Sequence, residues 1–172
     1  SATNWETGGR LIQGKWVATN TTDAQSPAAY FSFDSNTGWM KNASAYNTTY
    51  QSWMWKRHAG FDVVTYKGNG NSDGTFVYTG FRPAFLIYKN TDTADNWFIH
   101  DNKRQGYNDQ NELLFGDITQ AESTVDRIRF CANGFKTLDS DKGVNKSGDV
   151  YVYYAVAEQP LVNSNGVPDN AR

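Results

Sequence analysis

The chain has 172 residues, enough for one or two domains whose core can form without staples. Its 16 basic and 18 acidic residues leave a net charge of -2 with no run of like charges, so neither nucleic-acid binding nor adhesion to anionic lipid is expected. The single cysteine, Cys131, excludes an intrachain disulfide framework and a cysteine-based zinc site, and no apolar stretch approaches the ~20 residues of a membrane span, so membrane insertion is not expected.

Six Trp, ten Tyr and ten Phe stand against a background of Gly, Asn, Asp, Ser and Thr. Aromatic residues favour strands and the small polar residues favour the turns between them, which predicts an all-β chain. Period-two alternation marks the strands in order. Residues 29–33 form the first, closed by a turn over Asp34–Gly38. Residues 51–56 form a second, and 61–67 a third that ends in the glycine-rich turn Gly68–Gly74. Strands follow at 75–79, 83–88, 97–100 and 127–130. The run Val150–Ala157 is almost continuously apolar, which predicts a central strand covered on both faces. Cys131 ends one of these runs and is expected in the core. A short helical turn is predicted over residues 119–122, and residues 159–172, with Pro160 and Pro168, read as an extended arm. Short strands joined by Gly- and Asn-rich loops predict an antiparallel β-sandwich of the jelly-roll type.

The chain also repeats itself. Asn4-Trp5 recurs as Asn96-Trp97, and Thr22-Asp23-Ala24 as Thr119-Gln120-Ala121. Residues 33–39 recur as 130–135 with one deletion, and residues 47–53 as 145–154 with an insertion. The expected organisation is a partial β-repeat over 1–58, a complete sandwich module over 59–158 and the arm over 159–172. Half a sandwich cannot bury its own apolar face, so residues 1–57 are expected to pack either on the complete unit or on a neighbouring chain.

The chemistry of catalysis is sparse. Glycosidases need two carboxylates about 5 to 9.5 Å apart, and none of the four Glu residues (Glu6, Glu112, Glu122, Glu158) has an acidic partner two residues away. Asp139 and Asp141 have that spacing but sit in a turn-forming stretch. His58 and His100 belong to no metal or catalytic pattern, and neither a nucleophile elbow nor a phosphate loop is present. No enzymatic activity and no cofactor are expected. The only metal candidates are Ca²⁺ loops at Asn69–Gly74, whose twelfth position is Gly80 rather than a bidentate acid, and at Asp139–Asp141. Sequons stand at Asn20, Asn42, Asn47 and Asn145. Sugar binding calls for aromatic faces flanked by amides and carboxylates. Trp5, Trp39, Trp97, Tyr46, Tyr50 and Tyr107 lie in or near loops of that kind. The segment with Lys103 and Arg104 followed by Tyr107, Asn108 and Asn111 combines an aromatic ring, amides and fork donors, so the candidate ligand-binding set is Lys103, Arg104, Tyr107, Asn108, Asn111 and Trp97.

Several motifs resemble the tail-fibre and related surface proteins of bacteriophage virions. The stretch Trp53-Met54-Trp55-Lys56-Arg57-His58-Ala59-Gly60-Phe61-Asp62-Val63-Val64-Thr65-Tyr66 is similar to a junction between successive modules of those proteins. Gly80-Phe81-Arg82-Pro83-Ala84-Phe85-Leu86-Ile87-Tyr88-Lys89, then Asn133-Gly134-Phe135 and Ser147-Gly148-Asp149-Val150-Tyr151, match in the same order. Residues 157–172 resemble the natural carboxyl terminus of such proteins. The resemblance implies a concanavalin-A-like (laminin-G-like) sandwich at the virion surface, outside the cell. It further implies a homotrimeric distal tail-fibre or spike module that contacts other virion proteins and adsorbs to a bacterial surface glycan. A capsid-surface decoration protein and a free carbohydrate-binding module are the alternatives.

Overall fold

The computed structural model describes residues 4–12, 14–28, 30–41, 51–104 and 109–158. The fold is all-β and antiparallel, as the composition predicts. Its strands are β1 (Glu6–Thr7), β2 (Val17–Ala18), β3 (Phe31–Ser35), β4 (Gly38–Lys41), β5 (Phe61–Lys67), β6 (Phe76–Tyr78), β7 (Pro83–Asn90), β8 (Phe98–Asp101), β9 (Asp109–Phe115), β10 (Ser123–Cys131), β11 (Gly134–Thr137) and β12 (Val150–Ala157). Eight of them form one sheet in the order β5-β12-β7-β8-β9-β10-β11-β6, while β1-β2 and β3-β4 are separate two-stranded ladders.

The large sheet folds over on itself into a sandwich-like body, and its two ends meet where Thr75 Oγ1 donates to the Lys67 carbonyl at 3.1 Å. Aromatic rings fill the space between its halves. Tyr66 lies edge-on to Phe135 (5.7 Å) and stacks on Tyr151 (4.9 Å), and Phe135 meets Tyr153 at 5.2 Å. Buried tyrosines need a hydroxyl partner. Each has one: Tyr66 donates to Val144 O, Tyr151 to Lys142 O and Tyr153 to Asp62 Oδ2, all at 2.7 Å. Asp62 is itself ion-paired to Arg57, so its buried carboxylate is compensated on both oxygens.

β12 runs between β5 and β7, the central position its apolar run predicts. Its other face, Val152 and Tyr154, is covered by a second cluster built from Ile12, Val17, Trp97 and Ile87. The amino-terminal segment therefore packs in cis on the outside of the sheet. Backbone bonds hold it there, from Gln25 N to Thr91 O (2.8 Å) and from Asp95 N to Thr22 O (2.9 Å). Trp97 adds a bond from its indole Nε1 to Ala18 O at 2.7 Å.

Four expectations need correction. Residues 51–57 pair with no described strand, because the flanking strands that such an apolar run needs are not provided by the described chain. Residues 119–122 are irregular rather than helical, since they only bridge β9 to β10. Cys131 is half-buried at the end of β10, beyond the inward-facing Ile128 and Phe130. Asn111 belongs to strand β9, not to a loop. The Asp-Gln-Asn-Glu half of β9 is poor in β-formers, and its pairing with β10 overrides that propensity.

Gly134 is the tightest backbone approach in the sheet. A Cβ there would fall inside the Val77 carbonyl oxygen on the neighbouring β6. Gly134→Ala is therefore expected to cost about 3 kcal/mol, the upper end for overpacking, read as a lower urea midpoint with an unchanged slope.

Candidate functional site

The pairings of β8 with β9 and of β9 with β10 bring the end of β8, the middle of β9 and the start of β10 side by side. Ile99 faces Leu114 across the first ladder, while Leu113 faces Ser123 and Glu112 faces Thr124 across the second. Continued by two residues, the first ladder sets Asp101 across from Glu112, while Glu122 lies just ahead of Ser123 at the start of β10. Arg104 ties them. Its Nε meets Asp101 Oδ2 at 2.5 Å, its Nη1 meets Glu122 Oε2 at 2.6 Å, and its Nη2 donates to Ile99 O at 3.2 Å. Asp101 Oδ1 accepts the backbone N–H groups of Lys103 (2.9 Å) and Arg104 (3.0 Å), which fixes the turn that carries both cations.

The network sets its own protonation. Burial acts to raise the Asp101 carboxyl, but the bonds it accepts from Arg104 and the turn amides hold it below the ordinary range. Glu122 is likewise held low by Arg104 and by a bond from Glu112. Glu112 is pushed up by sharing that bond with Glu122. The result is a fixed array of donors and acceptors on an exposed rim, with Lys103 open to solvent beside it. Hydroxyl-rich ligands are bound by such planar, charge-assisted groups. Clefts of about 240 Å³ (lined by Ile12, Gln25, Thr65 and Asp92) and about 430 Å³ (lined by Arg57, His58, Asp62 and Thr79) lie elsewhere and include no member of this array.

Of the candidates read from sequence, Lys103, Arg104 and Asn111 lie on or next to this rim. Tyr107 and Asn108, with Tyr46 and Tyr50, lie outside the described residues. Trp97 is corrected. It is 1% exposed, bonded to Ala18 and packed against Tyr154, so it is a core anchor rather than a ligand-facing ring. Trp39 is half-buried against Phe31, and Trp5 is exposed beside Trp53. Asp101, Glu112 and Glu122 escape a search along the chain because they meet only across strands. The Asp-Asn-Lys-Arg turn was the one local signal.

The suspected calcium loops put their oxygens to other use. Asn69 Oδ1 accepts Asn71 N (2.9 Å), Asn71 Oδ1 accepts Asp73 N (3.0 Å), and Asp73 is ion-paired with Lys136. Asn145, wholly buried, pins this loop by donating to Asn69 Oδ1 and Asn71 O, each at 2.8 Å, which places its sequon out of reach of any glycan. Asp141 Oδ1 accepts Gly143 N at 2.8 Å and pairs with Arg127 Nη1 at 3.0 Å. Among the described residues no group of three or more His, Cys, Asp or Glu could hold a metal. His58 closes a tight turn by accepting Gly60 N at 3.1 Å. His100 is fully buried, stacked parallel to Tyr88 at 5.8 Å.

Residues 1–160 match the family described as a domain of unknown function, DUF7483. The chain belongs to the DUF7483 family. No curated protein and no solved structure matches it. The Arg104 rim is thus a feature of a DUF7483 domain read from its own geometry.

Proposed function

We propose that this DUF7483 chain is a non-catalytic virion surface module, the distal part of a phage tail fibre or spike, that adsorbs to a bacterial surface glycan through the Arg104 rim. The observation that supports the reading is the rim itself: Asp101, Arg104 and Glu122 locked together on the end of a rigid sheet, with Lys103 open beside them. Binding groups on a stiff scaffold lose little freedom when they engage a ligand. Homotrimerisation would present three rims together, and multivalency would raise the avidity of a weak glycan contact.

The test is calorimetric titration of the purified chain with extracted bacterial surface polysaccharides. Arg104→Ala should weaken binding at least about tenfold, the range for a charge-assisted bond, and Lys103→Ala should weaken it less. Failure of every polysaccharide to bind, or an unchanged affinity in R104A, removes the reading. The exposed Trp53-Met54-Trp55 stretch favours a second one, a decoration module that holds other virion proteins, since such apolar patches mark protein contacts. Binding to phage particles in place of polysaccharide would support that alternative.

A further inference from the structure

Several pairings within residues 5–41 recur at matching positions of residues 97–137. Trp5 N donates to Asn20 Oδ1 at 2.9 Å, and Trp97 N donates to Asp117 Oδ1 at 3.1 Å. Thr19 N donates to Trp5 O (3.0 Å), and Gly116 N donates to Trp97 O (2.8 Å). The ladder partners Glu6 with Ala18 and Thr7 with Val17 become Phe98 with Phe115 and Ile99 with Leu114. The bridge between Trp16 and Ser26 becomes the pair Leu113 and Ser123. The hairpin closing Ser35 on Gly38 becomes the one closing Cys131 on Gly134. Every pair obeys the offsets found in the sequence, 92 at the first tryptophan and 96 or 97 after it. β1 to β3 are thus shorter counterparts of β8 to β10, and β4 is the counterpart of β11.

The match extends past β4. The sequence repeat aligns Trp53 with Tyr154 of β12. Trp53 lies 5.3 Å from Trp5 with the rings tilted by 36°, and Tyr154 lies 6.3 Å from Trp97 with the rings tilted by 41°. Residues 51–57 therefore occupy the place of β12. In the complete unit β12 is hydrogen-bonded on both sides, to β5 and to β7. Among the described residues its counterpart has neither neighbour, and Trp53, Met54 and Trp55 are 61–66% exposed. Trp5, Leu11 and Met40 are more than half exposed on the same half-unit. A segment with strand-like alternation, three adjacent exposed apolar side chains and no pairing among the described residues is an acceptor for strands.

We infer that residues 5–57 are the second half of another module of the same fold, and that residues 51–57 are a docking surface for a β5- and β7-like pair of strands contributed by a DUF7483-type segment resembling residues 61–90. The occupant is specified by the repeat. β7 leads into the Asn96-Trp97 position across a short loop, so the matching segment must end just ahead of the Asn4-Trp5 position. β-Strand addition supplies main-chain bonds along the strand and pockets for alternate side chains. The inference does not depend on glycan adsorption.

Hydrogen exchange read by mass spectrometry tests it on three proteins: the 172-residue chain, the same chain with a copy of residues 59–92 placed ahead of Ser1, and the same chain with that copy scrambled. The offset of 92 makes Ser1 the counterpart of Thr93, so the added copy restores the order of the complete unit. Residues 51–57 should exchange freely in the chain alone and about a hundredfold more slowly with the added copy, but not with the scrambled one. Residues 150–157 serve as the internal control and should stay protected in all three. Free exchange of 51–57 despite the added copy, or equal slowing by the scrambled copy, overturns the inference. So does protection in the chain alone. If that protection grows with concentration, the surface belongs to a second copy of the chain instead.

Discussion

Trp97→Ala is expected to destabilise the fold by about 4 kcal/mol and to release the amino-terminal segment from the sheet. Truncating a fully buried tryptophan costs about 3–5 kcal/mol through lost transfer energy and the cavity left behind. Three further contacts go with it. Its indole donates to Ala18 O at 2.7 Å, its ring covers Tyr154, and Lys89 Nζ lies 5.9 Å from its centroid. Lys89 is fully buried, and burial holds its ammonium below the usual lysine range, so removing the neighbouring ring leaves a cation with less to compensate it. Trp97→Phe keeps the ring packing and loses the indole bond, so it should cost about 1–3 kcal/mol. Urea unfolding checks the magnitudes, and limited proteolysis checks the release. Cleavage confined to the first 58 residues in W97A is the expected pattern. Uniform cleavage across the chain would mean that the two clusters unfold as one.

Lowering the pH from 6.5 towards 3 is expected to destabilise the protein steeply, and His100→Gln is expected to remove most of that dependence. The side chain is buried among Tyr88 and the strand ends, and burial, with Arg104 and Arg127 nearby, pushes its pKa down to about 3 from 6.5. Between those values the unfolded chain carries a proton on His100 that the folded chain refuses. The unfolded state binds more protons, so stability rises with pH and is lost as the pH falls through 6.5. Each unit of displacement corresponds to about 1.4 kcal/mol, which makes the full effect several kcal/mol. Asp101 and Glu122, held low by Arg104, lose their stabilising pairing only as the pH falls below the ordinary carboxylate range. The histidine contribution is read as the difference between the two proteins from pH 6.5 to 4.5, because the raised carboxyls of Glu6, Glu112 and Asp117 titrate alike in both. Urea midpoints measured across that window in both proteins give the result directly. Parallel slopes for the two would show that His100 is protonated in the folded state.

Much of the fold was legible because it rests on local chemistry. The alternation in residues 61–67 and the unbroken apolar run in 150–157 each predicted a strand with its observed limits, and the second was central, as a strand buried on both faces must be. β9 was not legible. Gln110, Asn111 and Glu112 are poor strand formers, and they lie in a ladder only because β10 pairs with them. The segment 51–56 was misread for the converse reason: its pattern is that of a strand, but a strand exists only when another pairs with it. Arg104 and Lys103 could be named from composition alone. Asp101, Glu112 and Glu122 could not, because the contact that makes them one network is a matter of register between strands.

The sequence by itself determined the antiparallel all-β class, the positions of the turns and the existence of a partial internal repeat, since each follows from side-chain alternation, backbone freedom or recurrence along one chain. Only the tertiary structure decided that the amino-terminal segment packs in cis over Trp97 and Val152, that Trp97 is an anchor rather than a binding ring, and that Asp101 and Glu122 both pair with Arg104. Those outcomes depend on which strands pair and in which register. That choice is made by long-range burial, which no local window of residues contains.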